Sequence, residues 1–290
     1  MLLCLAAIWG GSFFLAKIAL DEVPPLTITL HRTFWALPVL VGVVWYLGIR
    51  LPRDPRIWGA YLVMGGLNNA IPFSLIFWGQ TYIGSGLAAI LNGTTAVFGA
   101  VIAGLVFSDE ALTRPKIIGA LFGLAGVAAV IGPSALHDLD LRDLAQLAIL
   151  CAALFYAIAS VWAKLTLKGI APQMNALGMV AGSTLLMIPV VLIQDGPPDL
   201  ALSGGVWAAL LSLSVICTSL AYLLYFAILV RAGAANLMLV TLLIPPFAIA
   251  LGAIFLDERL SLAAIAGFAL IGIGILITDG RIFGKRRRPA

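Results

Sequence analysis

Apolar runs of about twenty residues, separated by short polar turns, recur along these 290 residues. A run of that length crosses the hydrocarbon core of a bilayer as one α-helix. The pattern predicts ten such spans, at roughly 2–20, 26–48, 57–81, 84–107, 114–133, 143–167, 173–193, 206–230, 233–256 and 261–279. An all-α integral membrane protein follows, with five spans in each half.

The halves also resemble each other. Gly84–Gly132 moved along by 148 positions lands on Ala232–Gly280, so that Phe107-Ser108-Asp109-Glu110-Ala111-Leu112-Thr113 falls on Phe255-Leu256-Asp257-Glu258-Arg259-Leu260-Ser261. Gly119 and Gly126 fall on Gly267 and Gly274, and Ala16-Lys17 answers Ala163-Lys164. Such self-similarity marks a duplicated structural unit, here residues 1–137 and 138–290. An odd number of spans per unit turns the second unit upside down relative to the first. Inverted repeats of this kind can build alternating access around a central site. The acidic turns Asp109-Glu110 and Asp257-Glu258 read as helix starts, their carboxylates near the N-terminus of the helix that follows.

Composition agrees with lipid as the solvent: 62% of residues are hydrophobic, 10% are charged and the mean hydropathy is +1.10. Cys4, Cys151 and Cys217 lie within apolar runs, as small buried hydrophobes and not as a disulfide framework or metal cluster. No cleavable leader is expected at the first span. With the N-terminus inside, the inner loops and tail carry Arg50, Arg53, Arg56, Arg114, Lys116, Lys164, Lys168, Arg231, Arg281, Lys285, Arg286, Arg287 and Arg288, against Lys17, Arg142 and Arg259 outside. Both termini are therefore expected in the cytoplasm. The net charge of +4 is accounted for by topology, with anionic lipid as a further contact for the tail and no nucleic-acid partner.

The ten spans, the duplication, and the FSDEALT and FLDERLS turns followed by GALFGLAGVAAVIG and GFALIGIGILI resemble the EamA domains of the drug/metabolite transporter superfamily. The resemblance covers nearly the whole chain and is most like bacterial exporters of amino acids, aromatic ones in particular, and related metabolites. It implies a multi-pass inner-membrane exporter whose cavity is lined by spans 1, 3, 4, 6, 8 and 9, with spans 5 and 10 at the periphery. A monomer suffices for that reading, and the partners it implies are a small-molecule substrate and the bilayer. A proton-coupled drug or metabolite exporter, or a channel-like pore, is the alternative.

The residues sort the spans similarly. Spans 5 and 10 carry Gly119-xxx-Gly123 and Ala263-xxx-Gly267, small residues suited to close helix approach. Polar and helix-breaking residues collect elsewhere: Asn68, Asn69, Pro72 and Gln80 on span 3; Asn92, Gly93, Thr94 and Thr95 on span 4; Thr218 and Ser219 on span 8; Thr241, Pro245 and Pro246 on span 9. Of these, Asn92, Thr95, Thr218 and Thr241 are candidate substrate contacts, and Pro72, Gly93, Pro245 and Pro246 are candidate hinges. Trp9, Phe13, Trp78, Tyr82, Tyr156, Trp162 and Tyr222 are candidate ring faces for a substrate. The same residue types also anchor helices at the membrane interface, the reading favoured for Trp45 and Tyr82. His31 and Arg32 are the only ionisable pair well inside a span, open to a gating or carboxylate-pairing role or to snorkelling. Lys17 and Lys164, repeat mates near opposite faces, read as interfacial or as gating residues. Neither a catalytic set nor a cofactor or metal site is expected, since the two histidines, His31 and His137, have no matching partners. All thirteen acids fall in loops or at span ends, which predicts movement of substrate down its own gradient without obligatory proton exchange.

Overall fold

A computed structural model describes residues 1–108, 113–131, 140–225, 227–228, 231 and 240–279. The first-half turn Asp109-Glu110, His137, the start of the ninth predicted span and the basic tail lie outside the described residues. Within them are ten helical spans: α1 Leu2–Ala19, α2 Pro25–Tyr46, α3 Pro55–Tyr82, α4 Ser85–Val106, α5 Arg114–Ile131, α6 Leu141–Thr166, α7 Pro172–Gln194, α8 Gly204–Tyr225, α9 Val240–Phe255 and α10 Leu262–Asp279. The first eight are long and apolar enough to cross a membrane, and the last two are shorter apolar helices. Large aliphatic side chains stand on the outside of the bundle, such as Leu121, Ile193 and Leu262, as a lipid solvent requires. Trp45 and Tyr46 are almost fully exposed at the end of α2, where rings anchor a span at the interface.

Several helices begin where local chemistry dictates. Proline occupies the first turn of α2, α3 and α7, where its missing N–H would have no intrahelical partner. Asp54 caps α3, Ser203 caps α8, and Asp140 with Asp143 forms a capping box at α6.

Packing follows the duplication. The pairs α5·α10, α4·α9 and α2·α7 map onto themselves when span n is exchanged for span n+5, while α1·α9 maps onto α6·α4, α3·α6 onto α8·α1, and α3·α7 onto α8·α2. The glycines of α5 and α10 show the geometry directly. A side-chain carbon added at Gly119 would collide with the backbone of Gly274, and one added at Gly126 with that of Gly267. Gly119 pairs with the repeat mate of Gly126 and the reverse, so the two helices run antiparallel. Gly123 belongs to the same contact, its backbone N 2.8 Å from the Cβ position of Gly274 while its own Cβ position faces Val97 of α4, whereas Ala263 is exposed.

The exchange is incomplete in one respect. α1 packs along both α3 and α4, whereas among the described residues α6 makes no comparably extensive contact with α8 or α9.

Candidate functional site

Among the described residues, two spans change to a π-helical period at matching places. α3 is a π-helix over Gly66–Ala70 and α8 over Ser212–Leu220, and 66–70 advanced by 148 positions is 214–218. A π segment adds a residue to the turn and is often found at functional sites. In α8 the altered register is held by hydroxyls: Thr218 Oγ1 donates to the Leu213 carbonyl and Ser219 Oγ to that of Ser214, each five residues back. In α3, Pro72 stands two residues past the end of the π segment and lacks the N–H that would continue the ladder.

The two segments and α7 form a connected polar network inside the bundle. Tyr222 Oη donates to Asn69 Oδ1 at 2.9 Å and lies 3.2 Å from Asn68 Nδ2, while Asn69 Nδ2 donates to Ser183 Oγ at 3.3 Å. Asn69, Ser183, Thr218 and Ser219 are all buried.

Arg32 lies against the α8 segment. Its Nε donates to Thr218 Oγ1 at 3.0 Å, Nη2 lies 3.5 Å from the Cys217 carbonyl, and Cζ stands 3.9 Å from the centre of the Phe73 ring. Tyr156 is partly buried against the main hydrophobic core of the bundle. The repeat mate of Arg32 is Met179, whose sulfur lies 3.2 Å from Asn68 of the α3 segment. The contact is duplicated but the charge is not. Beside Met179, Gly178 makes room for the ring of the fully buried Tyr61.

His31 turns away from this cluster's polar groups. Its Nδ1 accepts from Trp35 Nε1 at 3.0 Å, its ring meets Trp207 edge-on at 5.6 Å, and its buried Nε2 has no partner among the described residues. An accepting Nδ1 assigns the neutral tautomer with the proton on Nε2.

The other candidates are dispersed through the bundle. Trp9 packs on Tyr225 at 5.9 Å within the bundle, and the buried Phe13 gives its carbonyl to Gln80 Nε2. Trp78 and Tyr82 contact each other on a stripe of α3 adjacent to Phe73 and Phe77, so the rings against Arg32 are those two phenylalanines. Trp162 donates to the Ala60 carbonyl, joining α6 to α3 near the opposite face. At Gly93-Thr94 the helix of α4 is interrupted; the Cβ position of Gly93 comes within 3.8 Å of the carbonyl of its own repeat mate, Thr241. Beside that break Thr95 donates to the Asn92 carbonyl, and the buried Asn92 Oδ1 has no donor among the described residues. Pro245 and Pro246 lie within α9.

The ends of the spans at the Lys17 face are tied together. Lys17 Nζ donates to the carbonyls of Gln80 and Ile83, at the C-terminus of α3, where a cation suits the helix dipole. Glu258 does not serve the helix that follows it. Its carboxylate accepts from Ser85 N and Ser85 Oγ, both at 2.8 Å, and from Gly86 N at 3.3 Å, capping α4 of the other half. The local reading of that turn is thereby corrected: positive φ at Asp257 (52°) turns the chain at the end of α9, and Glu258 stands at a neighbour's N-terminus. Glu22 accepts from Ser203 N, and Asp195 from Thr27. At the opposite face Lys164 lies 4.0 Å from the Phe107 ring centre.

Sequence reading missed Phe73, Phe77, Cys217 and Ser183. A hint existed in the 148-residue offset, which aligns Asn68-Asn69 with Ile216-Cys217.

The family model for EamA-like transporters matches this chain twice, over residues 1–132 and 143–278. The chain belongs to the EamA-like transporter family. It is therefore a membrane transporter with several spans, and not an enzyme. Among its EamA relatives, a "Probable amino-acid metabolite efflux pump" of Salmonella typhimurium is 26% identical over 99% of this chain and 95% of that one. A "Probable terminal-alkyne amino-acid exporter" of Streptantibioticus cattleyicolor is 24% identical over 97% of this chain and 93% of that one. A crystal structure superposes with a TM-score of 0.70 at 17% identity, covering 97% of this chain and 96% of that one, which is a likeness of fold.

Proposed function

We propose that this transporter exports neutral amino acids, aromatic ones among them, and related small metabolites across a bacterial plasma membrane by alternating access, without obligatory proton exchange. The observation that carries the reading is the chemistry around the two π segments. Amides, hydroxyls and ring faces meet there, and among the described residues no carboxylate enters the group. Such a lining hydrogen-bonds and stacks on a zwitterion but offers little to trade against a proton. His31 has its Nδ1 committed to Trp35. The names of two relatives agree in pointing to amino acids or their metabolites.

The halves 1–137 and 138–290 act as the two moving units, and both termini face the cytoplasm. On that topology the ties of Lys17, Glu258 and Glu22 close the outer face, and the sparse contact of α6 with α8 and α9 lies on the route inward. The protein works as a monomer.

Proteoliposomes loaded with labelled phenylalanine, leucine or threonine test this. Efflux should run at equal internal and external pH, show counterflow, and saturate. An imposed pH gradient should change it only as far as protonation of the substrate predicts. Uphill accumulation driven by that gradient, abolished by an ionophore and by His31→Ala, would establish a proton-coupled carrier instead. Unitary currents would establish a pore.

A further inference from the structure

We propose that Arg32 is the residue that recognises the carboxylate of the transported molecule. The inference rests on the exporter reading above.

Arg32 is 6% exposed, seven residues into α2, and pinned between α3 and α8. A guanidinium has five N–H donors in a rigid fork. The protein engages two of its nitrogens: Nε at 3.0 Å from Thr218, and Nη2 at 3.5 Å from the Cys217 carbonyl, already at the limit of a hydrogen bond. Nη1 has no acceptor among the described residues. The Phe73 ring covers the flat face of the group, which supports a cation but satisfies no N–H.

The acids that could neutralise it are committed elsewhere. Glu22, Asp195 and Glu258 bond Ser203, Thr27 and Ser85 at the Lys17 face, while Asp54, Asp140 and Asp143 serve helix starts. A buried cation without an anion is costly, so its retention calls for a function. Packing alone does not require the charge: the repeat mate, Met179, fills the corresponding place with an uncharged side chain. What the charge adds is a planar fork matched to a carboxylate, which binds through two parallel N–H···O bonds. The Phe73 and Phe77 rings, 3.9 and 5.8 Å from the guanidinium carbon, then offer ring surface to the remainder of the molecule.

The experiment compares each neutral amino acid with its carboxamide, on wild type, Arg32→Gln and Arg32→Lys. Flux is read in proteoliposomes, and binding is read separately as ligand-induced protection against thermal unfolding of the detergent-solubilised full chain. Wild type should favour the acid over the amide by roughly tenfold or more, the weight of one charge-assisted hydrogen bond. Arg32→Gln should abolish that preference, lowering acid flux roughly tenfold more than amide flux, and Arg32→Lys, a point charge without the fork, should restore part of it. Equal losses for acid and amide in Arg32→Gln would reduce the residue to a structural pin. An unchanged preference, or no carboxylate-dependent binding by any member of the panel, would overturn the inference. Carboxylate-dependent binding that is lost in Arg32→Gln without transport of any member would sink the exporter reading and leave the inference standing.

Discussion

Glu258, in the turn between α9 and α10, caps the N-terminus of α4 through Ser85, 173 residues earlier in the chain. One carboxylate thus holds the two halves together at one face. Charge-assisted hydrogen bonds contribute about 1.5–3 kcal/mol each when buried, and this pair is only partly buried, so the lower end applies. Glu258→Ala should lower the unfolding temperature by several degrees, and Glu258→Gln by less, because the amide keeps one acceptor. Ser85→Ala should fall between wild type and Glu258→Ala, since the backbone N–H bonds survive. Differential scanning fluorimetry in detergent checks the order.

Glu22 makes a pH-dependent tie at the same face. Hydrogen bonds from the Ser203 hydroxyl and N–H hold its carboxyl below its ordinary value of 4.5. A depressed carboxylate stabilises the fold fully above that ordinary value, and the benefit disappears as pH falls through the lower folded value. The difference in unfolding temperature between wild type and Glu22→Gln should therefore be constant from neutral pH down to about pH 5 and close below it. A gap that instead widens on acidification would contradict the assignment.

The glycine pairs of α5 and α10 should tolerate no side chain. Gly126→Leu and Gly274→Leu each force the helices apart, a cost of about 1–3 kcal/mol or more by overpacking, and should sharply reduce the amount of monodisperse protein recovered from membranes. Gly42→Ala, which meets nothing within 4 Å, is the matched control and should be recovered like wild type. Size-exclusion profiles after solubilisation decide this.

Tyr222→Phe removes the hydroxyl that links α8 to Asn68 and Asn69 of α3. Asn69 Oδ1 keeps its contact with Asn68 Nδ2 at 3.3 Å, so the loss is that of one hydrogen bond, about 0.5–1.5 kcal/mol. Transport should fall roughly tenfold, with the protein still folded. Ser183→Ala, at the far end of the network, should have a smaller effect, and initial rates of counterflow measure both.

The spans were legible because lipid imposes one rule on every one of them, about twenty apolar residues in a row. The two π segments were not. An extra residue in a turn displaces the apolar stripe over only a few positions, too short a stretch for a period to show. Glu258 was misplaced for a different reason. Capping rules look to the helix that follows, and the true partner, Ser85, is distant in sequence and adjacent only once the halves pack. Arg32 was conspicuous as a buried charge, yet its neighbours Phe73 and Phe77 were not, since a phenylalanine in a membrane span is unremarkable until its face is seen against a guanidinium.

Duplication alone would give a molecule indifferent to which half adopts which shape. The substitution of Met179 for a second arginine removes that indifference. One half carries a cation against its π segment and the other a thioether, so the two halves are not energetically interchangeable at this contact.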